Sequence, residues 1–341
     1  MDTNKKYYTV FLGFLILGLI SGCNSDTGSD NTPDEEVVDI TDAIFTEQSA
    51  DCSTYAEDYV SFVEDIQNET NFEGSVVVTS GSNDCTITVN GIPNHDFNDV
   101  TARFATNVSE VGRTFIVSKS PSLNAQSTAL SQQYFDALML NGVVVDILSA
   151  GCYDPTSDRA DEDGNTAIGC TVNDGWLLDP LGTESKFGAD SHNAHTQPDG
   201  TYHYHGDPKA MFDDMPGENG SPVIGFAADG FPIFGSYFLD TETNTVRKAI
   251  SGYELLEGSR PGPDNNDPGG IYNGTYIDDY QFIGTGDLDE CNGMTINGQY
   301  GYYVTDTYPW MMACYSGNPD DSFRKGQAKS NGEATIWDHE H

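Results

Sequence analysis

The chain has 341 residues, and its 14 lysines and arginines face 54 acids, for a formal net charge of −40. So strong a negative field argues against nucleic acid and anionic membrane surfaces as partners. Only 20% of the residues are charged, so the imbalance reflects scarce lysine and arginine and reads as a solubility trait.

Lys5 and Lys6 precede the apolar run Val10 to Ile20 and the small residues Ser21 and Gly22. That order is a signal peptide's, and the run is short for a membrane span. The join LISGC resembles a bacterial lipobox, which implies that residues 1–22 are removed and that Cys23 becomes the lipidated first residue. Membrane contact is then expected through the lipid anchor alone, in the cell envelope, on the periplasmic or outer-membrane face. Asn24 is compatible with outer-membrane sorting. Residues 23–50 are polar and acidic and are predicted to be a disordered tether. The folded domain is predicted over 51–335, with a flexible tail at 336–341.

Within the domain, residues 53–67 place Tyr55, Tyr59, Phe62, Val63 and Ile66 at helical spacing behind a Ser/Thr cap, predicting one N-terminal helix. GSVVVTSG, CTITVNGIP and RTFIVSKSP alternate, are rich in β-branched residues and are bounded by turn formers, as strands are. Residues 127–148 are expected to open helical and become β-branched around Gly142. Beyond Gly151, frequent glycine, proline and tyrosine predict short strands joined by tight turns. The fold class is mostly β (β-rich α+β): a single large disulfide-restrained β domain with an N-terminal helix and long loops.

Setting Cys23 aside leaves Cys52, Cys85, Cys152, Cys170, Cys291 and Cys314. An even number in an exported chain points to disulfides, with fifteen connectivities open. Pairing of nearest neighbours is expected, and no C-x-x-C spacing assigns these cysteines to metal.

The stretch DSHNAHTQPDGTYHYHGDP holds four of the seven histidines. Side chains alternate along a strand, so His203 and His205 share one face and Tyr202 and Tyr204 the other. QPDG is turn chemistry able to fold His192 and His195 back over them. Three or four neutral imidazoles suit zinc or copper, with open positions if water or a substrate binds. Cupins also use H-x-H, yet Gln197 stands where they place a glycine, and no glutamate follows His205 until Glu218.

NAHTQPDGTYHYHGDP, with VIGFAADGFPIFG at 223–235, resembles the YHYH-domain family of exported proteins. The likeness runs from GIPNHDF through PGGIYNGTYIDDYQFIGTGDLDECNG to YPWMMACYSG, most of the mature chain. It implies export, and carries over neither a reaction nor a catalytic residue.

Other residues remain candidates by their chemistry. His95, after GIPN, is a further ligand or acid/base group. Asp229 in GFAADGFPIFG is a buried carboxylate that either orients a histidine or caps a turn. Asp287, Asp289 and Glu290 beside Cys291 offer a general base or a calcium loop, or form a solvated acidic turn. DRADEDGNT fits a calcium loop in part, although Arg159 and Cys170 break the register. His339 and His341 close a tail expected to be disordered.

Two functional readings follow. One is an anchored protein with a zinc or copper site on His203, His205 and His195, with His192 or His95, performing metal-assisted hydrolysis or redox chemistry or simply holding metal. The other is a non-enzymatic surface module that binds a small-molecule or glycan ligand or a protein partner through its tyrosines.

Overall fold

The structure is a computed structural model that describes residues 37–183, 185 and 187–326. The leader, Cys23 and the terminal His339 and His341 lie outside the described residues. Among the described residues no helix is long and apolar enough to cross a membrane.

The first sheet is a five-stranded unit in sequence order, β1 (Val38–Asp39), β2 (Asp58–Asp65), β3 (Thr70–Ser80), β4 (Asp84–Val89) and β5 (Arg113–Ser118). β1 joins β2 in parallel, and the remaining pairs are antiparallel. The three alternating stretches become strands as expected, with Val76, Val78, Cys85, Ile87, Val89, Phe115 and Val117 turned to the core. Each of these valine, isoleucine and phenylalanine side chains contributes roughly 1.5–3 kcal/mol on burial.

The helix expected over 53–67 does not form. Cys52–Tyr55 is a single 3-10 turn capped by Asp51, and β2 follows. The buried positions of β2 are Ser61, Val63 and Asp65, while Phe62 is 56% exposed. Two polar groups thus occupy the inward face, hiding a period of two that the outward Phe62 and Ile66 disguise as helical spacing. Both are satisfied: Ser61 Oγ donates to the Pro93 carbonyl at 2.9 Å, and Asp65 accepts from Asn98 Nδ2 at 2.6 Å. Gly74, opposite Ser61, has no room for a β-carbon, which would sit 2.1 Å from Ser61 Oγ.

Residues 37–50, assigned by sequence to the tether, are part of the fold. Ile40 and Ala43 are buried, and Phe45 N–H donates to the Met211 carbonyl at 2.7 Å.

The second sheet has eight short strands: β6 (Ala137–Met139), β7 (Val144–Val145), β8 (Ala194–Thr196), β9 (Tyr202–Tyr204), β10 (Val223–Ala227), β11 (Pro232–Phe234), β12 (Gly293–Ile296) and β13 (Gln299–Tyr303). Their spatial order is β8-β9-β7-β6-β10-β11-β13-β12, mixed parallel and antiparallel. Every residue of β10 is buried, as expected of a strand covered on both faces. The helical opening expected in 127–148 is absent: residues 135–147 are a continuous buried run that supplies β6 and β7.

One apolar cluster links residues of both sheets, from Cys52 to Phe323, so the described chain is mostly β around one main core. Three disulfides restrain it, Cys52–Cys85, Cys152–Cys170 and Cys291–Cys314, the nearest-neighbour pairing. The chain finally passes back over the first sheet, where Phe323 is buried against Phe115 with ring centroids 4.7 Å apart.

Candidate metal centre

The histidine stretch folds as an antiparallel pair at one edge of the eight-stranded sheet. Residues 197–201 make the reversal, with Gln197 N–H donating to the Thr201 carbonyl and Gly200 N–H to the Gln197 carbonyl, each at 2.9 Å. Gly200 takes φ +85°, a conformation glycine adopts without penalty. The resulting register sets His195 opposite His203. His205 lies two residues beyond His203, on the same face.

Three imidazoles therefore meet. Ring centroids are separated by 4.6 Å for His195 and His203, and by 4.8 Å for each pair that includes His205. One ligand-capable nitrogen from each ring lies within 4.8 Å of the others, and Nε2 of His205 is 3.0 Å from Nε2 of His195. Tetrahedral zinc with bonds of about 2.0–2.1 Å holds its nitrogens roughly 3.3 Å apart, within reach of small side-chain rotations.

Backbone contacts orient the rings. Nδ1 of His195 lies 2.7 Å from the Phe187 carbonyl, and Nδ1 of His203 lies 3.2 Å from the Thr201 carbonyl. Nδ1 of His205 is buried without a hydrogen-bond partner. A carbonyl at Nδ1 assigns the proton to that nitrogen and leaves Nε2 as the ligating atom. Burial holds all three rings below the ordinary histidine pKa, with His203 and His205 well below it, so they are neutral, the form that ligates.

His95 and His192 are not part of this cluster. They stack on each other, with ring centroids 3.6 Å apart, and His95 packs against Tyr202 and Tyr204 on the sheet's other face. Nε2 of His95 is 2.6 Å from the Tyr204 hydroxyl, and Nδ1 of His192 is 2.7 Å from the Pro208 carbonyl. The H-x-x-H spacing spans a turn at 190–193 that sends the two rings to opposite faces.

The acidic candidates serve the fold. Asp229 accepts from the Tyr302 hydroxyl at 2.6 Å and from Gly317 N–H at 2.9 Å, capping a buried turn. Burial raises its pKa. Asp287 takes both terminal nitrogens of Arg247 at 2.7 Å, which hold its carboxyl below the usual range. Glu290 is exposed and accepts from Ser127 Oγ at 2.8 Å. In the loop read as a partial calcium site, Asp161 Oδ1 accepts from the backbone N–H of Asp163 and Asn165, a local turn.

Sequence reasoning missed Asp146. Its N–H donates to the Tyr204 carbonyl at 2.9 Å, continuing the parallel β7–β9 ladder and standing it beside His205. Oδ2 accepts from Lys325 Nζ at 2.5 Å and from Gln197 Nε2 at 2.6 Å. Asp136, its neighbour across β6 and β7, accepts from Ile147 N–H and from the Tyr315 hydroxyl. Burial raises both carboxyls, and the Asp146 charge adds to the rise at Asp136. The available signal was a lone aspartate in each of two apolar runs, VVVDIL and YFDALML.

Among the described residues five buried side-chain polar atoms have no hydrogen-bond partner. Three of them are His205 Nδ1, Oδ1 of Asp146, which stands beside His205 on the ladder, and Oγ1 of Thr201, whose carbonyl meets His203. Buried polar groups are normally satisfied, so their concentration fits a site that receives a further group. A cleft of ≈ 590 Å³ has Leu178, Asp179, Asn165, Arg260 and Tyr276 in its wall together with Phe187, whose carbonyl meets His195.

The family model for YHYH protein matches residues 114–317, which include all three clustered histidines and Asp146. No curated protein and no solved structure matches the chain.

Proposed function

The chain belongs to the YHYH protein family, and for this member we propose that Nε2 of His195, His203 and His205 hold one transition-metal ion, zinc or copper. The carrying observation is the convergence of three neutral imidazoles, two buried and one half-buried, from both strands of one hairpin, with Nδ1 of His195 and of His203 turned to backbone carbonyls. Three neutral nitrogens suit zinc or copper and leave at least one position open. Bound there, the ion supplies Lewis acidity, or redox chemistry if it is copper. The protein's share is to fix the three rings on a sheet, hold them neutral by burial and place Asp146 at their side.

In this reading the protein is an extracytoplasmic lipoprotein tethered through Cys23 in the cell envelope. Its metal centre serves a hydrolase or an oxidoreductase, and calcium has no role in it. The cleft beside Phe187 favours a small molecule or glycan as the ligand, since its wall combines aromatic, amide and carboxyl groups and shares Phe187 with the His195 contact. X-ray absorption at the metal edge of the purified full chain tests the proposal. Three imidazole nitrogens at about 2.0–2.1 Å support it for zinc, and sulfur or carboxylate-only coordination overturns it.

A further inference from the structure

We infer that the open position at the three-histidine cluster selects ligands presenting an O–H or N–H over oxyanions, and that Asp146 sets this selection. The inference rests on the metal reading above. The ladder places Asp146 on the strand next to His205, with neighbouring strands about 4.8 Å apart. The residue is 5% exposed, and its two oxygens differ. Oδ2 is filled by Lys325 and Gln197, whereas Oδ1 is buried and accepts from nothing. A buried carboxylate oxygen gains from any donor brought to it, and it repels a second anion.

The cation bonded to Asp146 is already engaged. Lys325 is spent on Asp146 itself, and Arg113 directs one terminal nitrogen to Asp199 of the hairpin turn at 3.3 Å, with its Nε buried and unpartnered. Lys325, held by Asp146, is therefore not free to receive a phosphate or carboxylate at this position. Thr201 Oγ1, also buried and unpartnered, adds a hydroxyl able to donate or accept. Sugar hydroxyls, amines and amides match this lining, and oxyanions do not. The net charge of −40 acts in the same direction at long range.

The test is a cobalt(II) titration of the full-length protein, followed by azide and imidazole as anionic and neutral probes read from the visible spectrum. Asp146→Asn is expected to tighten azide by about tenfold and to shift imidazole by no more than about twofold, because the change removes one charge at short range. Should that variant fail to fold, Lys325→Met provides the converse, with azide weakened by about threefold or more and imidazole unchanged. Azide affinity equal to wild type in either folded variant, with cobalt at one equivalent, overturns the inference. Failure of the wild-type chain to take up cobalt counts instead against the metal reading.

Discussion

His205 and His195 approach Nε2 to Nε2 at 3.0 Å, a separation at which two neutral imidazoles share either a proton or an ion. His195 directs Nδ1 at the Phe187 carbonyl, so its Nε2 is the acceptor. Without metal, His205 must therefore carry its proton on Nε2, which leaves Nδ1 bare, in agreement with that atom having no partner. Metal binding through Nε2 requires the other tautomer, with N–H at Nδ1. Long-range nitrogen–proton correlation spectra should show His205 as Nε2–H after chelator treatment and as Nδ1–H on zinc addition. An unchanged His205 tautomer on saturation with zinc contradicts the proposed coordination.

His95 belongs to the tyrosine face and should report on stability rather than on metal. Burial, with a smaller contribution from His192, pushes its pKa down to about 3, against an ordinary value of 6.5. Between those values the unfolded chain binds a proton at this position and the folded chain does not. Stability from this group is therefore complete above pH 6.5 and falls as pH falls, by about 1.4 kcal/mol per pH unit. In urea unfolding of chelator-treated protein, the wild type should lose its advantage over His95→Gln at about that rate from pH 6.5 to 5. A gap independent of pH contradicts a neutral buried His95.

The Cys52–Cys85 bridge fastens the 3-10 turn to β4 across 33 residues of sequence. Closing a loop of that length stabilises a fold by about 3–4 kcal/mol, on the chain-entropy account. Replacing both cysteines by serine should lower the unfolding free energy by that amount while leaving the metal content of the folded protein unchanged. The hairpin that carries the histidines is held by its own ladder, not by this bridge. Loss of metal from the folded variant contradicts that independence.

Much of this molecule was legible in its sequence, and the limits have physical causes. β3, β4 and β5 were readable because their buried positions are apolar and alternate without interruption. β2 was misread because Ser61 and Asp65 occupy inward positions that only their tertiary partners, Pro93 and Asn98, make tolerable. The pairing of His203 with His205 followed from strand periodicity, and the return of His195 followed from the turn chemistry of QPDG. The fate of His192 and His95 did not, since a bend at 190–193 decides it. Asp146 was hidden for a related reason. Its place beside the cluster depends on a parallel pairing of residues 59 apart in β7 and β9, and on a lysine delivered by the C-terminal segment.

One ion is expected among His195, His203 and His205, and metal content measures it. Elemental analysis of the purified full chain is expected to give about one equivalent of zinc or copper per chain. That content should vanish in the His203→Ala, His205→Ala double variant and persist in His95→Gln and His192→Gln. A folded double variant that keeps the wild-type metal content, or a metal content lost with His95 or His192 instead, would contradict a site on His195, His203 and His205.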